Sequence, residues 1–177
     1  MDDPTRRVTV DRSVASSAAF IRPFRREDTE AVVALWRAAG LVVPWNDPYR
    51  DIERKMTVQP ELFLVIDAGT VGVAEAADGK SASDSSDSRV VGAAMVGYDG
   101  HRGWVNYLAV EESRRGEGLG ALLMDEAERL LAERGCPKLN LQVRTSNTGV
   151  IEWYRSLGYE PDNAVSLGKR LIADSAP

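Results

Sequence analysis

The stretch from Trp104 to Val143 constrains the fold more than any other part of this 177-residue chain. It opens on Trp104-Val105-Asn106-Tyr107-Leu108-Ala109-Val110, an apolar run of strand length and composition. Arg115-Gly116-Glu117-Gly118-Leu119-Gly120 follows. From Gly118 to Arg134 the apolar positions Leu119, Leu122, Leu123, Ala127, Leu130 and Leu131 recur at helical spacing, and Gly135 and Pro137 end the helix. Leu139, Leu141 and Val143 then alternate as a strand. Strand, helix and strand in that order form a right-handed crossover, which makes the two strands parallel.

The flanking sequence supplies the rest of an α/β fold. Phe20 to Phe24 reads as a first strand, and Val32, Leu35, Trp36 and Ala39 mark a helix stopped by Gly40. Pro44-Trp45-Asn46-Asp47-Pro48 is a turn, Asp51 to Met56 a short helix, and Leu62 to Ile66 a strand. Val90 to Val96 and Trp104 to Val110, joined by Asp99-Gly100-His101-Arg102-Gly103, predict an antiparallel hairpin. A last helix is expected from about Thr148 to Leu157 and a closing strand from Val165 to Leu171. Residues 1–18 lack periodicity and are expected to form a mobile leader to one domain over 19–174. Within that domain, the Ser/Asp-rich stretch at about 73–88 is too polar to bury a core and is expected to be a disordered loop.

Composition narrows the function. A net charge of -5 argues against nucleic-acid binding, which draws most of its affinity from basic surface, and mildly favours a cationic substrate such as an amine. With one histidine, His101, a multi-histidine metal site is impossible, and no metal is expected. The lone Cys136 cannot form an internal disulfide and is expected to be buried. No stretch reaches the roughly 20 apolar residues of a membrane span, so a cytoplasmic location is expected.

Gly116, Gly118 and Gly120 remove side chains where a turn opens a helix, so that backbone N–H groups converge on an anion favoured by the helix dipole. Arg114 and Arg115 add charge suited to phosphate oxygens. Gly116-Glu117-Gly118-Leu119-Gly120-Ala121 also fits a dinucleotide fingerprint. However, its glycines lag the strand end at Val110, and the next strand ends in Gln142-Val143-Arg144 without a ribose-binding acid.

Arg115 to Gly120, following Leu108-Ala109-Val110, resembles the [QR]-x-x-G-x-[GA] acetyl-CoA motif of the GNAT N-acetyltransferases. Asn147, Tyr154, Gly158 and Tyr159 match a second motif of that family in the same order and spacing. The likeness covers about Phe20 to Asp174. It looks closest to the YpeA-type branch, sharing Pro44 to Pro48, Asp51 to Met56, Gly97 to Gly103 and Ser166 to Leu171.

The resemblance implies a mixed, mostly antiparallel sheet flanked by helices, with a parallel pair splayed at the acyl-CoA site. It also implies acetyl transfer from acetyl-CoA to a primary amine, on a small molecule or a peptide N-terminus, by direct attack in a ternary complex. The backbone of Leu108, Ala109 and Val110 would align the pantetheine, and Arg115, Gly116, Glu117, Gly118, Leu119, Gly120 and Ala121 would hold the pyrophosphate. Asn147 would bond the pantetheine amides, and Tyr154 would contact the cofactor and serve as general acid. Taken alone, Asn147 also fits a helix N-cap and Tyr154 a core tyrosine.

Related enzymes place a glutamate five residues before the motif asparagine, where this chain has Gln142. The base is therefore unassigned, with Asp47, Glu53, Asp99, Glu111 and Glu112, or a water chain held by backbone carbonyls, as candidates. His101 sits more simply at a hairpin tip. Trp45, Asp47, Tyr107 and Gln142 are expected to line the acceptor pocket, although Trp45 equally suits a core anchor. A noncatalytic acyl-CoA-binding module is the alternative function, and exposed strand edges make a homodimer plausible.

Overall fold

The computed structural model describes residues 19–69 and 89–174. The leader expected at 1–18 and the loop expected at about 73–88 lie outside them. Five strands form one sheet in sequence order: β1 Phe20–Pro23, β2 Phe63–Asp67, β3 Val90–Tyr98, β4 Gly103–Val110 and β5 Leu139–Leu141. The first three pairings are antiparallel, including the expected β3–β4 hairpin, and β4–β5 is parallel across the predicted crossover. The mixed, mostly antiparallel sheet expected of the chain is therefore present.

Strand alternation gives the sheet two apolar faces. Phe63 and Val65 point to the face covered by helix α1 (Thr29–Ala38) and helix α2 (Pro48–Thr57), where Val32, Val33, Trp36 and Ile52 pack. Leu64 and Ile66 point to the face covered by helix α3 (Leu119–Glu133) and helix α4 (Thr148–Ser156). On α3 the buried residues are Leu119, Leu123, Met124, Ala127 and Leu131. Leu122, placed on that stripe by the sequence pattern, is 46% exposed, because a step of one residue turns about 100° around the helix. Packing at the far end of the crossover is tight: a Cβ on Gly103 would lie 2.6 Å from Leu131 and 3.1 Å from the Cys136 sulfur. Cys136 is half-buried rather than fully buried, since the turn after α3 leaves one side open.

Two other expectations are corrected. Helix α2 begins at Pro48 instead of Asp51, because Asp47 accepts hydrogen bonds from the Tyr49 and Arg50 amides and Pro48 suits the first helical turn. The closing strand at Val165–Leu171 does not form. Strand β5 offers only three residues, and the C-terminal segment is held by side chains, leaving Val165, Leu167 and Leu171 84–90% exposed. Among the described residues, no helix is long and apolar enough to cross a membrane.

Strand β1, strand β2 and the entry to α1 are joined by Arg22, whose guanidinium donates to Asp28 at 2.7 and 2.9 Å and to Asp67 at 2.9 and 3.0 Å, all three side chains being buried. Removing one partner from a buried ion network strands the others. Arg22→Ala should therefore cost about 3–5 kcal/mol in urea unfolding, whereas Arg155→Ala, which breaks an exposed pair with Glu152, should cost less than about 1 kcal/mol.

Candidate active site

The β4–β5 pairing lasts for only three positions, Gly103↔Leu139, Trp104↔Asn140 and Val105↔Leu141. Beyond Val105, β4 runs on alone on that side. At the same point its register with β3 slips: Met95 pairs with Asn106 and Ala93 with Ala109, so β4 carries one extra residue. Tyr107 takes up the slack with φ 53°, a left-handed conformation that costs a bulky residue about 1–3 kcal/mol. It is held by stacking on Trp36 at 4.3 Å and by donating its hydroxyl proton to Asp51 at 2.7 Å.

After the bulge, hydrogen-bonding direction alternates along β4. The Glu111 amide donates to the Val91 carbonyl, so the N–H and C=O of Val110 point away from β3, toward the side that β5 has left. Of the stretch from Leu108 to Val110, Ala109 therefore turns to β3 while Val110 presents unpaired backbone on the other edge, beside the glycine loop. Gly116 and Gly118 adopt φ of 83° and 81° and have open space where a Cβ would stand. Gly120 serves a different purpose: its Cβ would approach Trp153 at 3.0 Å, with Val110 next nearest at 3.9 Å. That contact brings the start of α3, the end of β4 and helix α4 together. Leu119 anchors the loop in the core, Ala121 is half-buried and Ala109 packs on the α1–α2 face.

Within the loop, Arg114 pairs with Glu117 at 2.7 Å, which raises the Arg114 pKa and lowers that of Glu117. Arg115 lies exposed, 3.8 Å from Glu112. Asn147 stands at the N-cap of α4 without a side-chain capping bond, and is exposed. Tyr154, on the inner face of α4, is 8% exposed and edge-on to Trp153 and Tyr159; burial pushes its phenol up to about 12. It lines a cavity of about 740 Å³ with Leu141, Val143 and Ile151. Among the described residues its hydroxyl has no protein partner.

The acceptor-side residues fall into two groups. Asn46 donates to the Tyr107 hydroxyl at 3.4 Å, so the turn containing Trp45 and Asp47 sits against the bulge. Trp45 is 57% exposed and is therefore no core anchor, because its loop is fixed instead by the Asp47 cap and by Arg170, which donates to the Trp45 carbonyl at 2.8 Å. Gln142 is exposed just past β5 and donates to Ser166 at 2.6 Å.

Of the candidate bases, Asp99 is fixed at the β3–β4 hairpin tip. Amides of Arg102 and His101 and the Trp104 indole donate to it and hold its carboxyl down at about 2. His101 is exposed at the same tip. Glu111 pairs with Arg89, Asp47 caps α2, and Glu53 and Glu112 are exposed.

Asp51 went unrecognised as a candidate from sequence. Its carboxylate receives Tyr107 and, at 3.0 Å, Arg54. Burial, with the bond to Asp51, pushes the Tyr107 phenol up to about 12. No local motif marks Asp51, since its partner lies 56 residues away.

Comparison with known proteins agrees with this geometry. Residues 30–159 match the sequence pattern of the acetyltransferase (GNAT) family. An acetyltransferase of Pectobacterium atrosepticum is 44% identical over 154 residues, spanning 87% of this chain and 96% of that protein. The solved structure of Ard1 from Thermoplasma volcanium superposes with a TM-score of 0.60 at 26% identity, over 80% of this chain and 82% of that one. AAC(6')-Iy, solved in complex with the bisubstrate analog CoA-S-monomethyl-acetylneamine, shares the fold with a TM-score of 0.62 at 18% identity, over 88% of this chain and all of that one.

The C-terminal segment is tethered to helix α2 through Asp174. Arg54 at 2.6 and 2.9 Å and Arg50 at 3.3 Å hold its carboxyl down at about 2. A depressed folded pKa stabilises docking above the ordinary carboxylate range of about 4, and that stabilisation fades as pH falls through about 2. Docking, followed by fluorescence of the exposed Trp45, should thus persist to about pH 3 in the native chain, whereas Asp174→Asn should weaken it at neutral pH and leave no acid transition near pH 3.

Proposed function

The chain belongs to the GNAT acetyltransferase family and is an acetyltransferase that takes acetyl-CoA as cosubstrate, and from that premise we propose direct acetyl transfer to a primary amine in a ternary complex. The acceptor is a small amine or a peptide N-terminus. The observation that carries this reading is the parting of β4 from β5 at the Tyr107 bulge. It leaves backbone at Leu108 to Val110 free to bond an extended pantetheine and to polarise a thioester carbonyl.

The glycine loop supports the pyrophosphate end of the same ligand, because Gly116 and Gly118 present backbone without side chains at the entry to α3. Asn147, free of capping duty, is suited to the pantetheine amides. The neutral amine attacks the thioester carbonyl carbon, the carbon–sulfur bond breaks, and the departing thiolate takes the Tyr154 hydroxyl proton. A phenol pushed up to about 12 stays protonated until then.

The amine's proton leaves toward the Tyr107–Asp51 pair. The Tyr107 oxygen can accept that proton from the nitrogen as its own hydroxyl proton passes to the Asp51 carboxylate, which ends as the carboxylic acid. This pair supports catalysis over a noncatalytic acyl-CoA-binding module, since it supplies a carboxylate that Gln142 does not.

Thiol release from acetyl-CoA with a panel of amines and N-terminal peptides tests the reading, and binding without turnover on every acceptor would sink it. Tyr154→Phe should lower kcat about 100-fold while leaving the acetyl-CoA Kd within about threefold. Gly118→Val, strained at a positive φ, should instead raise that Kd about tenfold. Asp51→Asn and Tyr107→Phe should each slow turnover about 100-fold, and the double variant should be hardly slower than either, as expected of groups acting as one unit.

A further inference from the structure

Resting on the transferase reading above, we propose that the acceptor is a primary amine that also carries an anionic oxygen group, held by Arg170 and Lys169 while Asp51 and Tyr107 face its nitrogen. The cavity that would take it measures about 610 Å³ and lies between the start of α2 and the C-terminal segment, lined by Asn46, Asp51, Arg54, Lys169, Arg170 and Asp174. A continuous hydrogen-bond chain joins it to the bulge. Arg170 donates to Asn46 at 3.2 Å, Asn46 to Tyr107, Tyr107 to Asp51, and Arg54 bridges Asp51 and Asp174.

The charges along this wall are unevenly matched. Arg50 and Arg54 are both engaged by the buried Asp174, and Arg54 also by Asp51. Arg170 is bonded only to neutral oxygens, the Trp45 carbonyl and the Asn46 amide, and neither it nor Lys169 has a carboxylate within 4.0 Å among the described residues. Two cations without a carboxylate partner among the described residues therefore line a cavity whose wall also carries Asp51, the acceptor of the Tyr107 hydroxyl.

Net charge would suggest the opposite sign. At physiological salt, however, the Debye length is about 8 Å, so these two cations set the local potential and the -5 spread over the whole chain does not. Leu167 and Leu171 are 90% and 87% exposed, so the segment is not seated here by apolar burial. A planar guanidinium offers paired donors that match a carboxylate or a phosphate equally well.

The test compares kcat/KM within matched acceptor pairs: β-alanine with β-alaninamide, phosphoethanolamine with ethanolamine, and an N-terminal peptide bearing glutamate at its second position with the same peptide bearing glutamine. The anionic member of each pair that is turned over should be favoured about tenfold or more, and the favoured pair identifies the anion. Arg170→Gln should bring that ratio close to one, while Arg170→Lys should keep most of it. If the guanidinium only docks the segment, Arg170→Gln will lower both members of a pair together and leave the ratio standing, which overturns the anion-binding role. Equal use of both members by the native enzyme also overturns it and leaves the transferase reading intact, whereas acetyl-CoA binding without turnover of any acceptor defeats both.

Discussion

Strand β4 cannot satisfy both of its neighbours along its full length, and the site follows from how that conflict is resolved. At its start it is clamped, with β3 on one side, β5 on the other and Gly103 pressed against Leu131 from above. After Val105 it must keep β3 while β5 departs. The extra residue absorbed at Tyr107 changes the strand's twist at this point, and the backbone beyond it loses a partner on one edge. Backbone groups on an edge without a strand partner need another one, which water or an extended ligand can supply.

The strained tyrosine also joins the bulge to the helices that cover it. Trp36 stacks on its ring and Asp51 receives its hydroxyl, so the α1–α2 layer supports the bulge. The support has its own cost, because the Trp36 indole nitrogen is buried without a partner among the described residues, a loss of about 1–3 kcal/mol. On the opposite face, α3 and α4 meet β4 through Gly120, Trp153 and Val110. The glycine loop and Tyr154 thus lie in one layer, and Asp51, which holds the Tyr107 hydroxyl, in the other.

Two charge networks serve different ends. The Arg22 triad is closed and buried, tying the edge strand to the first helix. The Asp174 clamp fastens the C-terminal segment to helix α2, while Arg170 is placed by neutral oxygens. This is why the expected closing strand is absent: side-chain tethers, not a backbone ladder, position residues 165–171.

What could be read from sequence was whatever depends on neighbours in the chain. The crossover unit, the hairpin, the glycine loop and the Asn147–Tyr159 motif are local patterns of period, turn chemistry and spacing, and they sufficed for the sheet, the family and acetyl-CoA. The helical stripe erred at Leu122 because apolarity alone does not say which residues of a periodic run meet the core. Asp51 passed unnoticed because its meaning lies in Tyr107, far along the chain, and Asp47 looked chemical where folding uses it as a cap. Sequence by itself determined the class of reaction, since a phosphate-binding turn is built from consecutive residues. Only tertiary structure decided which carboxylate stands beside the bulge and which cations line the neighbouring cavity, because those groups meet when distant segments are brought within a few ångströms.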